Sequence, residues 1–163
     1  MITLGIDPGS ARIGFGIISG TKKLELLDYG ILKIKEKDAD KRLIEVSNGL
    51  LEIFKKYNPD IAGIEKIYFS KNVKTGIEVA QTRGAIILEI AKYSIPMKEF
   101  SPSEIKLSVA GYGLADKKAV AKMVAKILNV EKLTGFDDAS DALAVAIIAS
   151  QKQEWWALDI PES

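Results

Sequence analysis

The sequence contains no cysteine and no histidine. Without cysteine there can be no disulfide, no thiolate zinc site and no cysteine nucleophile. Without histidine there can be no Ser-His-Asp triad, no histidine general base and no histidine-ligated zinc. If the chain is an enzyme, its chemistry must therefore come from carboxylates, lysines, hydroxyl groups or a metal held by oxygen ligands. Magnesium and manganese are the ions that prefer such ligands.

Long apolar segments are also missing. Glu89 and Lys92 interrupt the longest one, "GAIILEIAKYSI", so none reaches the length of a membrane span. The N-terminus has no signal-peptide pattern, and we expect a cytoplasmic protein that does not associate with a membrane. No repeat, low-complexity tract or linker divides the 163 residues. The chain is therefore predicted to form one domain over residues 1–152, followed by a C-terminal tail over 153–163.

The net charge of +1 hides an uneven distribution along the chain. Residues 66–126 contain eleven basic and five acidic side chains, whereas residues 127–163 contain two basic and seven acidic ones. Such a pattern can arise from ordinary solvated surfaces. It also suits a protein that binds phosphate groups beside an acidic metal pocket.

The order of predicted elements indicates the fold class. Three strands joined by short turns, "ITLGIDP", "RIGFGIIS" and "KLELLDYGILKI", predict an antiparallel meander. Helix and strand then alternate, and the strand "IAGIEKI" is expected to lie parallel to the first because a helix precedes it. The remaining predicted elements are a long helix at 72–93, a strand at "IPMKEF", and helices at about 102–110, 116–128 and 137–152. This order predicts an α/β protein with a five-stranded mixed sheet and helices on both faces.

The helix predicted at 72–93 has apolar residues on two sides. Ile86 and Ile90 lie, with Val79, on one of these stripes. The other stripe consists of Ile77, Ala80, Gly84, Leu88 and Ala91. A helix with two apolar stripes is either enclosed in the core or forms half of a dimer interface.

Four carboxylates occur where apolar elements begin or end. Asp7 ends the first strand and Glu65 ends the fourth, so parallel neighbours would bring both to one edge of the sheet. Asp138 and Asp141 share a face of the last helix, although Asp137 shares a face with Asp141 as well. Each acid alone fits a turn, a surface charge or a helix cap. Together they would repel one another without a cation, and two divalent ions could use such a set.

Five sequence blocks stand in the order and spacing of a known family. "GIDPGSARIGFG", "IEKIYFSKN", "QTRG", "GYGLADK" and "DDASDALAVAI" resemble the RuvC family of Holliday-junction resolvases, over roughly residues 2–150. The resemblance implies a ribonuclease H-like fold and a homodimeric endonuclease that depends on Mg²⁺, with Mn²⁺ as an alternative and two ions per site. It also implies that four-way DNA junctions are cut by two symmetric nicks that leave 5′-phosphate and 3′-hydroxyl ends. The branch-migration proteins RuvA and RuvB are then further expected partners.

The resemblance also assigns catalytic roles to individual residues. The four catalytic, metal-binding acids of the family fall on Asp7, Glu65, Asp138 and Asp141, which makes Asp137 the expected helix cap. Two lysines match family lysines beside the cleaved strand, where they would hold a phosphate or stabilise developing charge. These are Lys106 and Lys117.

Further positions are expected to contact DNA. Tyr68 and Phe69 follow the catalytic glutamate, where an aromatic residue of the family stacks on bases at the junction centre. Core packing is the alternative for one of the two. The expected contacts to the DNA backbone are Lys71, Asn72, Gln81, Arg83 and Lys118.

The sequence is also compatible with functions other than that of a resolvase. A ribonuclease H-like RNA-processing nuclease shares the first aspartate block, and a junction-binding module could have lost cleavage. The first block is also similar to the phosphate loop of sugar kinases and actin-like ATPases, but this chain has no second phosphate loop. In the tail, Trp155 and Trp156 either pack against the domain or contact a partner.

Overall fold

In the part of the chain that the structure describes, five strands form one mixed sheet in the order β3-β2-β1-β4-β5. The computed structural model describes residues 1–67, 73–135 and 137–151. The sheet begins with an antiparallel meander, after which the fourth strand pairs in parallel with the first and the fifth pairs in parallel with the fourth. The strands are β1 (Ile2–Asp7), β2 (Arg12–Ser19), β3 (Glu25–Lys33), β4 (Ile61–Glu65) and β5 (Met97–Phe100). This arrangement confirms the predicted five-stranded mixed sheet.

Among the described residues, five helices cover the two faces of the sheet, as predicted. They are α1 (Ala39–Tyr57), α2 (Val73–Lys92), α3 (Pro102–Ala110), α4 (Lys117–Ile127) and α5 (Asp137–Gln151). Leu4 and Ile6 of β1 are fully buried against apolar side chains of α1 and α2 on one face. The last three helices form a second buried cluster on the opposite face. Within the described ranges, no helix is both long and apolar enough to cross a membrane.

The helix α5 lies directly against the sheet because glycines replace side chains beneath it. A Cβ atom on Gly5 would lie 2.1 Å from the carbonyl oxygen of Ala142, and one on Gly14 would lie 2.0 Å from that of Asp138. Every residue from Ala142 to Ser150 is buried. This close packing fixes the N-terminal turn of α5 over the ends of β1 and β2.

Helix α5 begins one residue earlier than the expected cap implies, at the residue that was predicted to cap it. Asp137 is the first residue of the helix and lies in its first turn. The residue before it, Phe136, lies outside the described residues. Asp137 therefore contributes a charge near the helix N-terminus, where the helix dipole favours a carboxylate.

Candidate active site

Two carboxylates meet where the central parallel strands end. Ile6 of β1 pairs with Ile64 of β4, so the following residues, Asp7 and Glu65, leave the same edge of the sheet side by side. Their carboxyl groups lie close enough to shift each other's pKa. The predicted juxtaposition of these two acids is therefore present in the structure.

A cavity of about 300 Å³ opens above this pair. The polar residues that line it are the two strand-end acids and one residue from each of α3, α4 and α5. Those three residues are Lys106, Lys117 and Asp141. The rest of the wall comes from Pro102, Ile105, Val120 and Ala144. The cavity thus combines three acids and two lysines on a partly apolar surface.

Burial and neighbouring negative charge raise the pKa of the two acids at the strand ends. Burial, and then the negative charges of Glu65, Asp141 and Asp138, raise the pKa of Asp7 to about 8, although the positive charge of Lys117 opposes this shift. The pKa of Glu65 is also raised, by burial first and by the charge of Asp141 second. Negative charge is therefore costly at this edge of the sheet, and a cation placed there would be strongly attracted.

Asp141 is held by a lysine of the neighbouring helix. Lys117 Nζ lies 2.9 Å from Asp141 Oδ2, and this hydrogen bond raises the pKa of the Lys117 ammonium group. The side chain of Asp116 caps α4 by accepting a hydrogen bond from the backbone N–H of Ala119 at 2.7 Å. The cap fixes the first turn of α4 and thereby the position of Lys117.

Asp138 is held by an arginine to which no role was assigned from the sequence. Arg12, at the start of β2, places its Nε 3.2 Å from Asp138 Oδ2. Asp138 does not line the cavity, but its charge still contributes to the raised pKa of Asp7. The only signal in the sequence was the position of Arg12 inside the block "GIDPGSARIGFG".

Lys106 enters the cavity from a helix with a well-defined start. In α3, Ser101 Oγ accepts a hydrogen bond from the backbone N–H of Glu104, whose carboxylate accepts one from the backbone N–H of Ser101. Pro102 occupies the first helical turn. This capping box and proline fix the direction of α3. Lys106 is half-buried and one turn further along.

The four acids at this edge of the sheet are the groups that could bind a metal ion. As the side chains stand, no three acidic groups in the described part of the chain converge closely enough to form a metal site. Asp138 and Asp141 instead form ion pairs with Arg12 and Lys117. The available ligands are carboxylate oxygens, partly buried and mutually repelling, and this chemistry fits Mg²⁺ or Mn²⁺.

The residues expected to contact DNA are not all near the cavity. Lys118 is exposed on α4 beside Lys117, and Gln81 is exposed on α2. Arg83 forms an ion pair with Glu99 of β5. The other four expected contacts, Tyr68, Phe69, Lys71 and Asn72, lie outside the described residues, as do Trp155 and Trp156 of the tail.

Comparison with known proteins gives consistent matches over most of the chain. The family model described as crossover junction endodeoxyribonuclease RuvC matches residues 3–149. The crossover junction endodeoxyribonuclease RuvC of Prochlorococcus marinus (strain NATL2A) is 45% identical over 149 residues, which are 90% of this chain and 96% of that protein. The RuvC of Petrotoga mobilis is 42% identical over 148 residues, which are 90% of this chain and 91% of that protein.

Solved structures are similar as well. The structure of T. thermophilus RuvC in complex with a Holliday junction substrate matches with a TM-score of 0.84 and 28% identity, covering 90% of this chain and 91% of the other. The yeast mitochondrial Holliday junction resolvase Ydc2 matches with a TM-score of 0.63 and 15% identity, covering 89% of this chain and 77% of the other. At this low identity, the similarity to Ydc2 shows only that the two proteins share a fold.

Proposed function

The chain belongs to the RuvC family of crossover junction endodeoxyribonucleases, and we propose that it resolves four-way DNA junctions. The observation that carries this proposal is the cavity at the ends of β1 and β4, where Asp7, Glu65 and Asp141 face Lys106 and Lys117. Carboxylates and lysines around one cavity are suited to cutting a phosphodiester bond in a protein that lacks histidine and cysteine.

Asp7, Glu65, Asp138 and Asp141 are the residues that would hold Mg²⁺ or Mn²⁺, as two ions. When bound, such ions supply the charge that activates a water molecule and stabilises the oxygen that leaves. Asp7 and Glu65 contribute adjoining carboxylates whose pKa values are raised by burial and by repulsion. Engaging a metal would require Asp138 and Asp141 to exchange their ion pairs with Arg12 and Lys117.

Lys106 and Lys117 act on the phosphate in this proposal. Both line the cavity, Lys106 from α3 and Lys117 from α4. A lysine placed there attracts the scissile phosphate and stabilises the negative charge that develops as the bond breaks. The expected products are a 5′-phosphate and a 3′-hydroxyl on each nicked strand.

The DNA arms are expected to contact the basic middle of the chain. Residues 66–126 contain eleven basic and five acidic side chains. Lys118 is exposed next to Lys117 in the sequence of α4, and Gln81 is exposed on α2. Arg83 would have to exchange its ion pair with Glu99 for a phosphate. Lys71 and Asn72 complete the proposed backbone contacts, and Tyr68 or Phe69 would stack on bases at the junction centre.

A homodimer through α2 would give the two related sites that symmetric nicking of a junction requires. One apolar stripe of α2 is buried, with Ile86 and Ile90 in the core. The other stripe is exposed throughout: Ile77, Ala80, Gly84, Leu88 and Ala91. Ile77 and Leu88 are 52% and 55% exposed, and Leu88 borders a cavity of about 440 Å³ between α1 and α2. We include RuvA and RuvB among the proposed partners because the chain belongs to this family.

A cleavage assay tests the proposal. The substrates are a mobile four-way junction, a linear duplex and an RNA–DNA hybrid, each with and without Mg²⁺. We expect paired nicks only on the junction and only with the metal, and DNA ligase should seal the nicks directly because their ends are 5′-phosphate and 3′-hydroxyl. Asp7→Asn and Asp138→Asn should abolish cleavage and leave junction binding intact.

Asp137→Asn is the matched control, because it makes the same chemical change one residue from Asp138 at a position without a proposed catalytic role. It should cut at close to the wild-type rate. Cleavage by Asp138→Asn at a near-native rate would contradict the assignment. A hybrid that is cut would favour an RNA-processing nuclease, and a junction that is bound but never cut would favour a binding module.

A further inference from the structure

A second cavity, of about 890 Å³, lies beside α4 and is not part of the candidate active site. We call it the α4 groove. Much of its lining is apolar and includes Ala110, Ala119, Met123, Val130 and Leu133. Four lysines also line it: Lys118, Lys122, Lys126 and Lys132. The groove thus combines an apolar surface with a concentration of positive charge.

The four lysines of the groove outnumber its acids, because Glu131 is the one acidic residue among those that line it. Lys118, Lys122 and Lys126 are spaced four residues apart, so they lie along one side of α4. All are exposed, and none of them forms an ion pair or side-chain hydrogen bond with another residue in the described ranges. Repulsion among these charges favours an acidic occupant, while the apolar lining favours one that also brings apolar side chains. A DNA backbone would satisfy the lysines only.

We propose that the C-terminal segment 152–163 of this same chain binds in the α4 groove. Its sequence, "KQEWWALDIPES", has the two properties that the groove requires. The apolar side chains are those of Trp155, Trp156, Leu158 and Ile160. The acids are Glu154, Asp159 and Glu162, joined by the terminal carboxylate if Ser163 ends the chain. The segment therefore complements the groove in both charge and hydrophobicity.

The last described helix ends close enough for this contact. Gln151, the final residue of α5, accepts a hydrogen bond at its Oε1 from Ser108 Oγ at 2.9 Å. Ser108 is only two residues before Ala110, which lines the groove. Twelve extended residues reach about 40 Å, whereas the stretch of α4 from Lys118 to Lys126 spans about 12 Å. The segment can therefore enter the groove without any rearrangement of α5.

Tryptophan fluorescence tests the proposal directly, because Trp155 and Trp156 are the two tryptophans of the chain and both lie in the segment. The full-length protein is compared with a synthetic peptide of residues 152–163. We expect the protein to emit at shorter wavelength than the peptide and to be quenched less by acrylamide. Emission and quenching equal to those of the free peptide would overturn the proposal.

Charge reversal locates the contact. Lys122→Glu with Lys126→Glu should shift the emission and the quenching towards those of the peptide, while circular dichroism verifies that the helices remain. Lys22→Glu with Lys55→Glu is the matched control, because it makes the same change in net charge at exposed lysines that do not line the groove. The control should keep the wild-type emission.

A charge swap guards against an indirect effect of the reversal. Adding Glu154→Lys and Asp159→Lys to the groove double variant should restore the wild-type emission and quenching. If the emission and quenching indicate buried tryptophans but stay the same in every charge variant, the segment binds elsewhere and the proposal is overturned. A shift that depends on protein concentration would overturn it in favour of the groove of a second copy.

Discussion

Replacing Asp7 with asparagine should make the metal-free protein more stable at neutral pH while abolishing cleavage. Burial and three neighbouring acids raise the pKa of Asp7 from 3.8 to about 8. In the unfolded chain Asp7 ionises near pH 4, whereas in the folded protein it stays protonated until about pH 8. The folded state therefore binds more protons between these values, and the free energy of unfolding falls as the pH rises through them.

The size of this effect follows from the difference in pKa. Each pH unit between the two pKa values lowers the free energy of unfolding by about 1.4 kcal/mol. The loss is on the order of 4 kcal/mol at pH 7 and stops growing above about pH 8. Asparagine cannot ionise, so Asp7→Asn should be more stable than the wild type by this order at pH 7. The gap should shrink to about 1–2 kcal/mol at pH 5.

Urea unfolding in the presence of a chelator measures the difference. Wild type and Asp7→Asn are unfolded at pH 5, 7 and 8.5, and the free energies are obtained by linear extrapolation. Asp40→Asn, which neutralises an exposed acid of α1, serves as the control and should not reproduce the pH-dependent gain. A variant that is equal to or less stable than wild type at pH 7 would refute the reasoning. It would show that Asp7 stabilises the turn after β1 instead of carrying an unfavourable charge.

Three further predictions concern the scaffold and the DNA contacts. Gly5→Ala should lower the free energy of unfolding in urea by about 3 kcal/mol, because its Cβ would lie 2.1 Å from the carbonyl oxygen of Ala142. Gly113→Ala is the control, because its Cβ would lie 3.4 Å from the nearest atom, and it should unfold nearly as the wild type does. Ser101→Ala should cost about 1 kcal/mol through loss of the α3 cap, and an unchanged urea midpoint would contradict the capping role. The affinity for junction DNA should fall steeply with added salt. Lys118→Gln should reduce the slope of log affinity against log salt by about 1 in a binding titration. An unchanged slope would show that Lys118 does not contact a phosphate.

The sequence was sufficient to predict the sheet and the main acid pair. Alternation in the first strands and helical periodicity in the later segments are local signals, and they predicted the order of elements correctly. The placement of Asp7 beside Glu65 then followed, because parallel neighbouring strands end at the same edge. These inferences needed only the order of elements and the residue types at their ends.

The pairing of acids with cations could not be predicted in the same way. Arg12 contacts Asp138, and Lys117 contacts Asp141, because of where α5 rests on the sheet and α4 rests on α5. Such contacts join residues far apart in the sequence and depend on interhelical distances that no periodicity encodes. The glycines of β1 and β2 were a usable signal, since Gly5 and Gly14 are positions where a helix approaches the strands closely.

The packing of α5 explains how the protein tolerates acids that repel one another. Asp138 and Asp141 lie in the first turns of a helix that is buried from Ala142 to Ser150 and that has no side chain between it and Gly5. Moving the carboxylates apart would require lifting this helix and exposing apolar surface, which is unfavourable. The apolar half of α5 therefore holds its acidic end near Asp7, and this electrostatic strain adds to the effects of burial and of Glu65 in raising the pKa of Asp7. Substitutions that loosen α5 should relieve that strain and damage the candidate active site together.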